Sequence, residues 1–165
     1  MVLCTGSAPG RAGQSGGAER ERVASQYSEP MKRAVIVVLA VLACVPIGTG
    51  LLAIIGGPTV APGGGPTTAS IDSEYRFVNF FWLAAGLILV WTLFKPLERA
   101  LVTRVVLVIA AAGGIGRLIS IAVVGPPHPV FLATLGLELV VVPLVIVWHS
   151  RVFPVKAAAT AKAVA

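Results

Sequence analysis

Charge is what this sequence has least of. Asp, Glu, Lys and Arg make up 12% of its 165 residues, about half the share usual in a soluble domain. Hydrophobic residues make up 56%, and the mean hydropathy is +0.91. A short soluble fold has too much surface to hide that apolar share, so the scarcity of charge argues against a water-soluble domain and makes lipid the expected solvent. Cysteine and histidine are nearly absent, with 2 of each. Cys4 sits in a polar tail and Cys44 inside an apolar run, so no disulfide is expected. His128 and His149 fall in different segments, and no metal-ligand spacing is present. No cofactor is expected. A complete catalytic set is also missing, since no Ser/His/Asp or Cys/His grouping has a workable placement. The formal net charge of +6 by itself would suit nucleic acid. The basic residues, however, come in short groups between apolar runs without interleaved aromatics, the pattern that encodes membrane topology. The expected partner is the lipid bilayer, together with another membrane protein or a second copy of the chain, and not nucleic acid.

What the sequence does have is four long uncharged or nearly uncharged runs. Residues 1–30 precede them and are rich in Gly, Ser, Ala, Arg and Glu. Such a segment buries too little surface to offset its ordering entropy, so a disordered tail is expected. Met31-Lys32-Arg33 resembles a protein start, which leaves two readings of the tail: an over-extended start, with Met31 as the first residue, or a genuine tail. The membrane domain is expected over residues 31–151, with spans at about 34–55, 72–94, 101–124 and 129–148, followed by a disordered tail at 152–165. Each run suffices for a hydrocarbon core of ~30 Å, which needs ~20 helical residues. The fold class is therefore all-α, a membrane four-helix bundle. Span one also reads as a cleaved signal peptide, because Lys32 and Arg33 form a basic flank. Its run is too long for a typical signal core, and no A-x-A site follows, which favours a retained anchor. The Pro/Gly segment 57–70 and the Gly125-Pro126-Pro127 turn break the helices. Asp72 is expected to cap span two and Glu74 to sit in its first turn. Pro46 and Pro143 are expected to kink spans one and four. Trp82, Trp91 and Trp148 are expected as lipid or interface anchors, Trp82 being the least clear of the three.

The basic residues give an orientation. Of the 13, eleven lie before span one, between spans two and three, or after span four, while the opposite connections hold only Arg76. The positive-inside bias puts both termini and the 95–104 segment in the cytoplasm.

The remaining basic residue, Arg117, is inside span three. It lies 8 residues before Gly125, and Glu138 lies 9 residues after Pro129. At 1.5 Å per residue these are depths of ~12 and ~14 Å from the same end of two helices joined by a short turn. An isolated charge at mid-span costs ~2.5–3.5 kcal/mol on insertion scales, so an ion pair between adjacent helices is expected. Gly113, Gly114 and Ser120 share a side with Arg117. Ala112, Gly116 and Ser120 form a small-xxx-small row suited to close helix approach. Gly113-Gly114-Ile115-Gly116 lacks the preceding strand and the Lys-Ser/Thr of a phosphate loop, so it reads as helix packing. On span two, Asp72, Arg76 and Asn79 form a polar stripe that Gly86 continues. The candidate site is one cluster of Asp72, Glu74, Arg76, Asn79, Arg117, Ser120 and Glu138 in the outer leaflet. It reads either as a structural ion-pair system or as a binding site.

The ordered motifs Asp72-Ser73-Glu74-Tyr75-Arg76-Phe77, Gly113-Gly114-Ile115-Gly116-Arg117-Leu118-Ile119-Ser120, Gly125-Pro126-Pro127 and Leu137-Glu138-Leu139 with Pro143 resemble the bacterial family of domain of unknown function 4345. The resemblance covers roughly residues 34–150. It implies a small four-helix membrane protein, and it implies that Asp72, Glu74, Arg76, Arg117, Ser120 and Glu138 belong to the family pattern. It implies no activity. The leading expectation is a structural or interaction protein. The alternatives are a binding or transport protein for a small polar molecule, proton or lipid headgroup and, more weakly, a membrane enzyme using Glu74 or Glu138 as acid or base.

Overall fold

In the computed structural model the backbone is described for residues 12–155 and the side chains for residues 29–155. Among these the chain is all-helical, without strands. Helix α1 spans Ala12–Gly56, a 3-10 turn spans Gly57–Val60, α2 spans Ala69–Leu93 and α3 spans Ala100–Val124. The last run consists of α4 (Pro129–Gly136), a π-helical turn (Leu137–Val141) and α5 (Val142–Val152). Four helical stretches, Glu29–Val60, Ala69–Leu93, Ala100–Val124 and Pro129–Val152, are long and apolar enough to cross a membrane. Helix is the form expected there, because a spanning segment must satisfy its backbone hydrogen bonds internally.

The ends of the last three spans fall within a few residues of their expected positions. The first differs, because α1 begins at Ala12, well before residue 34, where the first span was expected to start. The stretch before Glu29 carries helix-forming Ala, Glu, Arg and Gln, which let a helix nucleated in the apolar run propagate backwards. Residues 1–11 and 156–165, including Cys4, lie outside the described residues. Span two is capped by Thr68, whose side chain accepts from Ile71 N, so Asp72 sits inside the first turn rather than at the cap. The expected break at Pro143 takes the form of the π turn just before it. Pro143 has no N–H for the carbonyl of Leu139, and widening the turn relieves the ring–carbonyl clash.

The core is concentrated at one end of the bundle. Val35, Leu39 and Ala43 of α1, Leu89 of α2, Ala100 and Leu107 of α3, and Val142, Val145 and Phe153 form one buried cluster toward the 94–99 connection. Toward the opposite end, at the 57–68 and 125–128 connections, the packing thins. No residue of α4 is buried, and on α3 none is buried beyond Gly114. There α1 and α2 still pack against each other, with Gly86 facing Pro46 and Ile47 and Gly50 facing the Leu83 backbone. The two helical hairpins are thus sealed together at one end and more thinly packed toward the other, where Gly63 of one connection faces His128 of the next.

Candidate functional site

Two separate polar groups occupy the loosely packed half. The first joins α2 to the end of α1. Arg76 Nε donates to Asp72 Oδ2 at 2.8 Å and Arg76 Nη2 to Asp72 Oδ1 at 3.3 Å, one helical turn apart. Arg76 Nη1 donates to the carbonyls of Ile54 and Ile55, the latter at 3.0 Å. The last carbonyls of a helix have no partner within it, so Arg76 acts as a cap supplied by the next helix. Gly57 follows directly with φ +67, and a Cβ there would lie 2.6 Å from Arg76 Nη2 and Asp72 Oδ1. Only glycine lets the chain turn in this way under the guanidinium. Asn79 turns its amide back to the carbonyl of Tyr75 at 2.8 Å. Glu74 is exposed and makes no hydrogen bond or ion pair to any described residue.

The second group joins α3 to the π turn. Arg117 Nε donates to Glu138 Oε2 at 2.9 Å and to Oε1 at 3.2 Å. Glu138 is 4% exposed, and its side chain is packed where α3 comes closest. A Cβ on Gly114 would meet Glu138 Cβ at 3.3 Å and Leu139 Cδ2 at 2.7 Å, so the missing side chain is what lets the carboxylate reach its partner. The π turn places Glu138 within the segment whose widened backbone departs from the α-helix; such single π turns recur at functional positions. Arg117 is more open, its side chain 36% exposed. Its guanidinium carbon stands 5.4 Å from the centre of the Phe131 ring. Beside it lies a hollow of about 160 Å³ lined by Arg117, Ser120, Pro127 and Phe131.

The expected single cluster is therefore two. Asp72, Arg76 and Asn79 stay with α1 and α2, while Arg117, Ser120 and Glu138 gather between α3 and the last span. No hydrogen bond or ion pair among the described residues links the two. Of the small residues near Arg117 on α3, Gly113, Gly114, Gly116 and Ser120, Gly114 is the one that faces a partner helix. Ala112, Gly116 and Ser120, expected as a packing row, are exposed, and Gly113 and Gly116 have open space around them. Trp82 does not behave as a simple lipid anchor, because its Nε1 donates to Thr49 Oγ1 on α1 at 3.1 Å.

Sequence reasoning missed a third polar group at the tightly packed end. His149 is 0% exposed and packs with its ring tilted against Phe153 at 5.1 Å between centres. Arg104 Nη2 donates to the Phe153 carbonyl at 2.6 Å. Arg99 covers the Trp91 ring at 3.6 Å and donates to the Trp91 carbonyl at 2.6 Å. The only available signal was the position of basic residues one turn inside a helix end, where their stems cover apolar surface.

The sequence profile of a family described as a domain of unknown function (DUF4345) matches residues 35–149. The chain belongs to this family. The matched region begins in α1 and ends at His149, so it takes in all four spans and both polar groups. Comparison with curated proteins and with solved structures gives no match.

Proposed function

We propose that this DUF4345 protein crosses the inner membrane four times with both ends in the cytoplasm, and that its role is structural, as a stabilising partner of another membrane protein or of a second copy of itself. The orientation is supported by the distribution of basic residues, which places the tightly packed end on the cytoplasmic side and the two polar groups in the outer leaflet. The structural role is supported by one observation above all: the charged partners in the outer half are spent on holding helices together. Arg76 with Asp72 ties α2 to the end of α1, and Arg117 with Glu138 ties α3 to the last span.

The reading is tested with the neutral double variant Arg117→Met/Glu138→Leu in the host. A purely structural pair predicts normal membrane insertion, normal abundance and an unchanged host phenotype. A double variant that folds and accumulates normally but does not complement a deletion would show that the pair does more than hold helices. A binding role is favoured by one feature, the hollow beside Arg117.

A further inference from the structure

We propose that the hollow beside Arg117 binds a phosphate group, carried either on the headgroup of an outer-leaflet phospholipid or on a free phosphate anion. This goes beyond the helix-locking role and uses the part of Arg117 that the ion pair leaves over. A guanidinium has five N–H donors in a planar fork. Glu138 takes only the one on Nε. Neither Nη has an acceptor among the described residues, and both belong to a side chain that lines the hollow. The Arg117 side chain is 36% exposed, so these four N–H donors are open to an acceptor from outside the chain.

The lining selects among acceptors. Two Nη groups side by side match two oxygens of a phosphate in bidentate fashion, which a halide or a single water does not reproduce. The Ser120 hydroxyl is on the same wall, exposed and without an intramolecular bond among the described residues, so it supplies a further donor. Phe131 covers the guanidinium from α4 and limits its swing. Glu138 does not line the hollow, so it presents no carboxylate oxygen to a ligand there. A volume of about 160 Å³ is far above the ~10–15 Å³ needed by one water. Pro127 forms part of the wall, which connects the hollow to the bundle end where headgroups sit. No residue of α4 is buried, so this side is free for a lipid to approach.

The test uses the full-length protein and two variants that keep the ion pair available. Arg117→Lys retains a cation for Glu138 but loses the fork. Ser120→Leu fills the hollow and touches neither charge. Native mass spectrometry is run with phosphatidylglycerol and with phosphate-free monogalactosyldiacylglycerol, and thermal unfolding in neutral detergent is followed with inorganic phosphate. A lipid-borne phosphate predicts one retained phosphatidylglycerol on the unsubstituted protein, about ten-fold less on Arg117→Lys for the loss of one charged bidentate contact, a comparable loss on Ser120→Leu because the hollow is filled, and no retention of the glycolipid. A free phosphate predicts stabilisation of the unsubstituted protein by inorganic phosphate, lost in both variants, with the two lipids retained equally. The proposal is overturned if neither probe separates the unsubstituted protein from Ser120→Leu, whose fold does not depend on the substituted position. Should Arg117→Lys unfold, Ser120→Leu decides alone, and the ion-pair reading is unaffected by either result.

Discussion

The unequal burial of the two partners in the Arg117–Glu138 pair yields a quantitative expectation. Arg117→Met leaves a carboxylate whose side chain is 6% exposed, wedged over Gly114 with no other donor among the described residues. Breaking a buried pair in this way costs ~3–5 kcal/mol in soluble proteins, and insertion scales put a lone mid-span charge at ~2.5–3.5 kcal/mol. We take ~3 kcal/mol for this variant. Glu138→Leu leaves an arginine whose side chain is 36% exposed and borders the hollow. It can turn toward water or headgroups, so we expect ~1 kcal/mol. The double variant removes both charges and replaces them with apolar groups, which is often close to neutral, so we expect ~1 kcal/mol or less. The coupling in a double-mutant cycle is then ~3 kcal/mol, well above the ~0.3–0.5 kcal/mol scatter seen for independent sites. The assay is reversible unfolding in mixed dodecyl sulfate micelles, followed by far-ultraviolet circular dichroism. Additive effects, or a Glu138 variant less stable than the Arg117 variant, would refute the assigned burial and pairing.

Three further outcomes follow from the same geometry. Gly57→Ala should destabilise by at least ~1–2 kcal/mol, the cost of a left-handed backbone at a non-glycine residue, with more added as the new Cβ displaces Arg76; equal stability in the micelle assay would remove the cap at the end of α1. Gly114→Val should cost ~1–3 kcal/mol by overpacking against Leu139, whereas Gly116→Val, with nothing within 4 Å, should change stability little; the reverse order would mean that α3 is rotated. Arg76→Lys should keep the contact to Asp72 and lose part of the carbonyl cap, so its stability should fall between the unsubstituted protein and Arg76→Leu; a lysine variant as unstable as the leucine variant would contradict a role for the ion pair itself.

Much of the fold is legible along the chain because membrane spans are written in one dimension. Uncharged runs ended by Lys95-Pro96, Gly125-Pro126-Pro127 and Arg151 predict the helices that form, since proline, glycine and charge all stop an apolar helix at the interface. The Arg117–Glu138 pair is also legible, because depth follows from residue count and two opposite charges at one depth on adjacent helices have little choice of partner. What stayed hidden depends on rotation about the helix axes. These helices are apolar nearly all round, so their periodicity does not say which face meets a neighbour. Ala112-Gly116-Ser120 and Gly114 are both rows or points of small residues on α3, yet only Gly114 faces a partner. The same limit concealed that Arg76 reaches back to α1, and that the polar residues of the loosely packed half form two groups rather than one. The π turn was half visible, since Pro143 signalled a defect but not its type.

The four-span arrangement with both ends in the cytoplasm is tested most directly by labelling single cysteines from outside. With Cys4 and Cys44 replaced, cysteines are placed at Gly65, Pro126 and Leu97, three exposed or open positions in the connections between spans. Intact spheroplasts are treated with a membrane-impermeant maleimide and compared with lysed ones. The account predicts labelling at 65 and 126 in intact cells and at 97 only after lysis. Labelling of 97 from outside, or protection of 65 and 126, would contradict it.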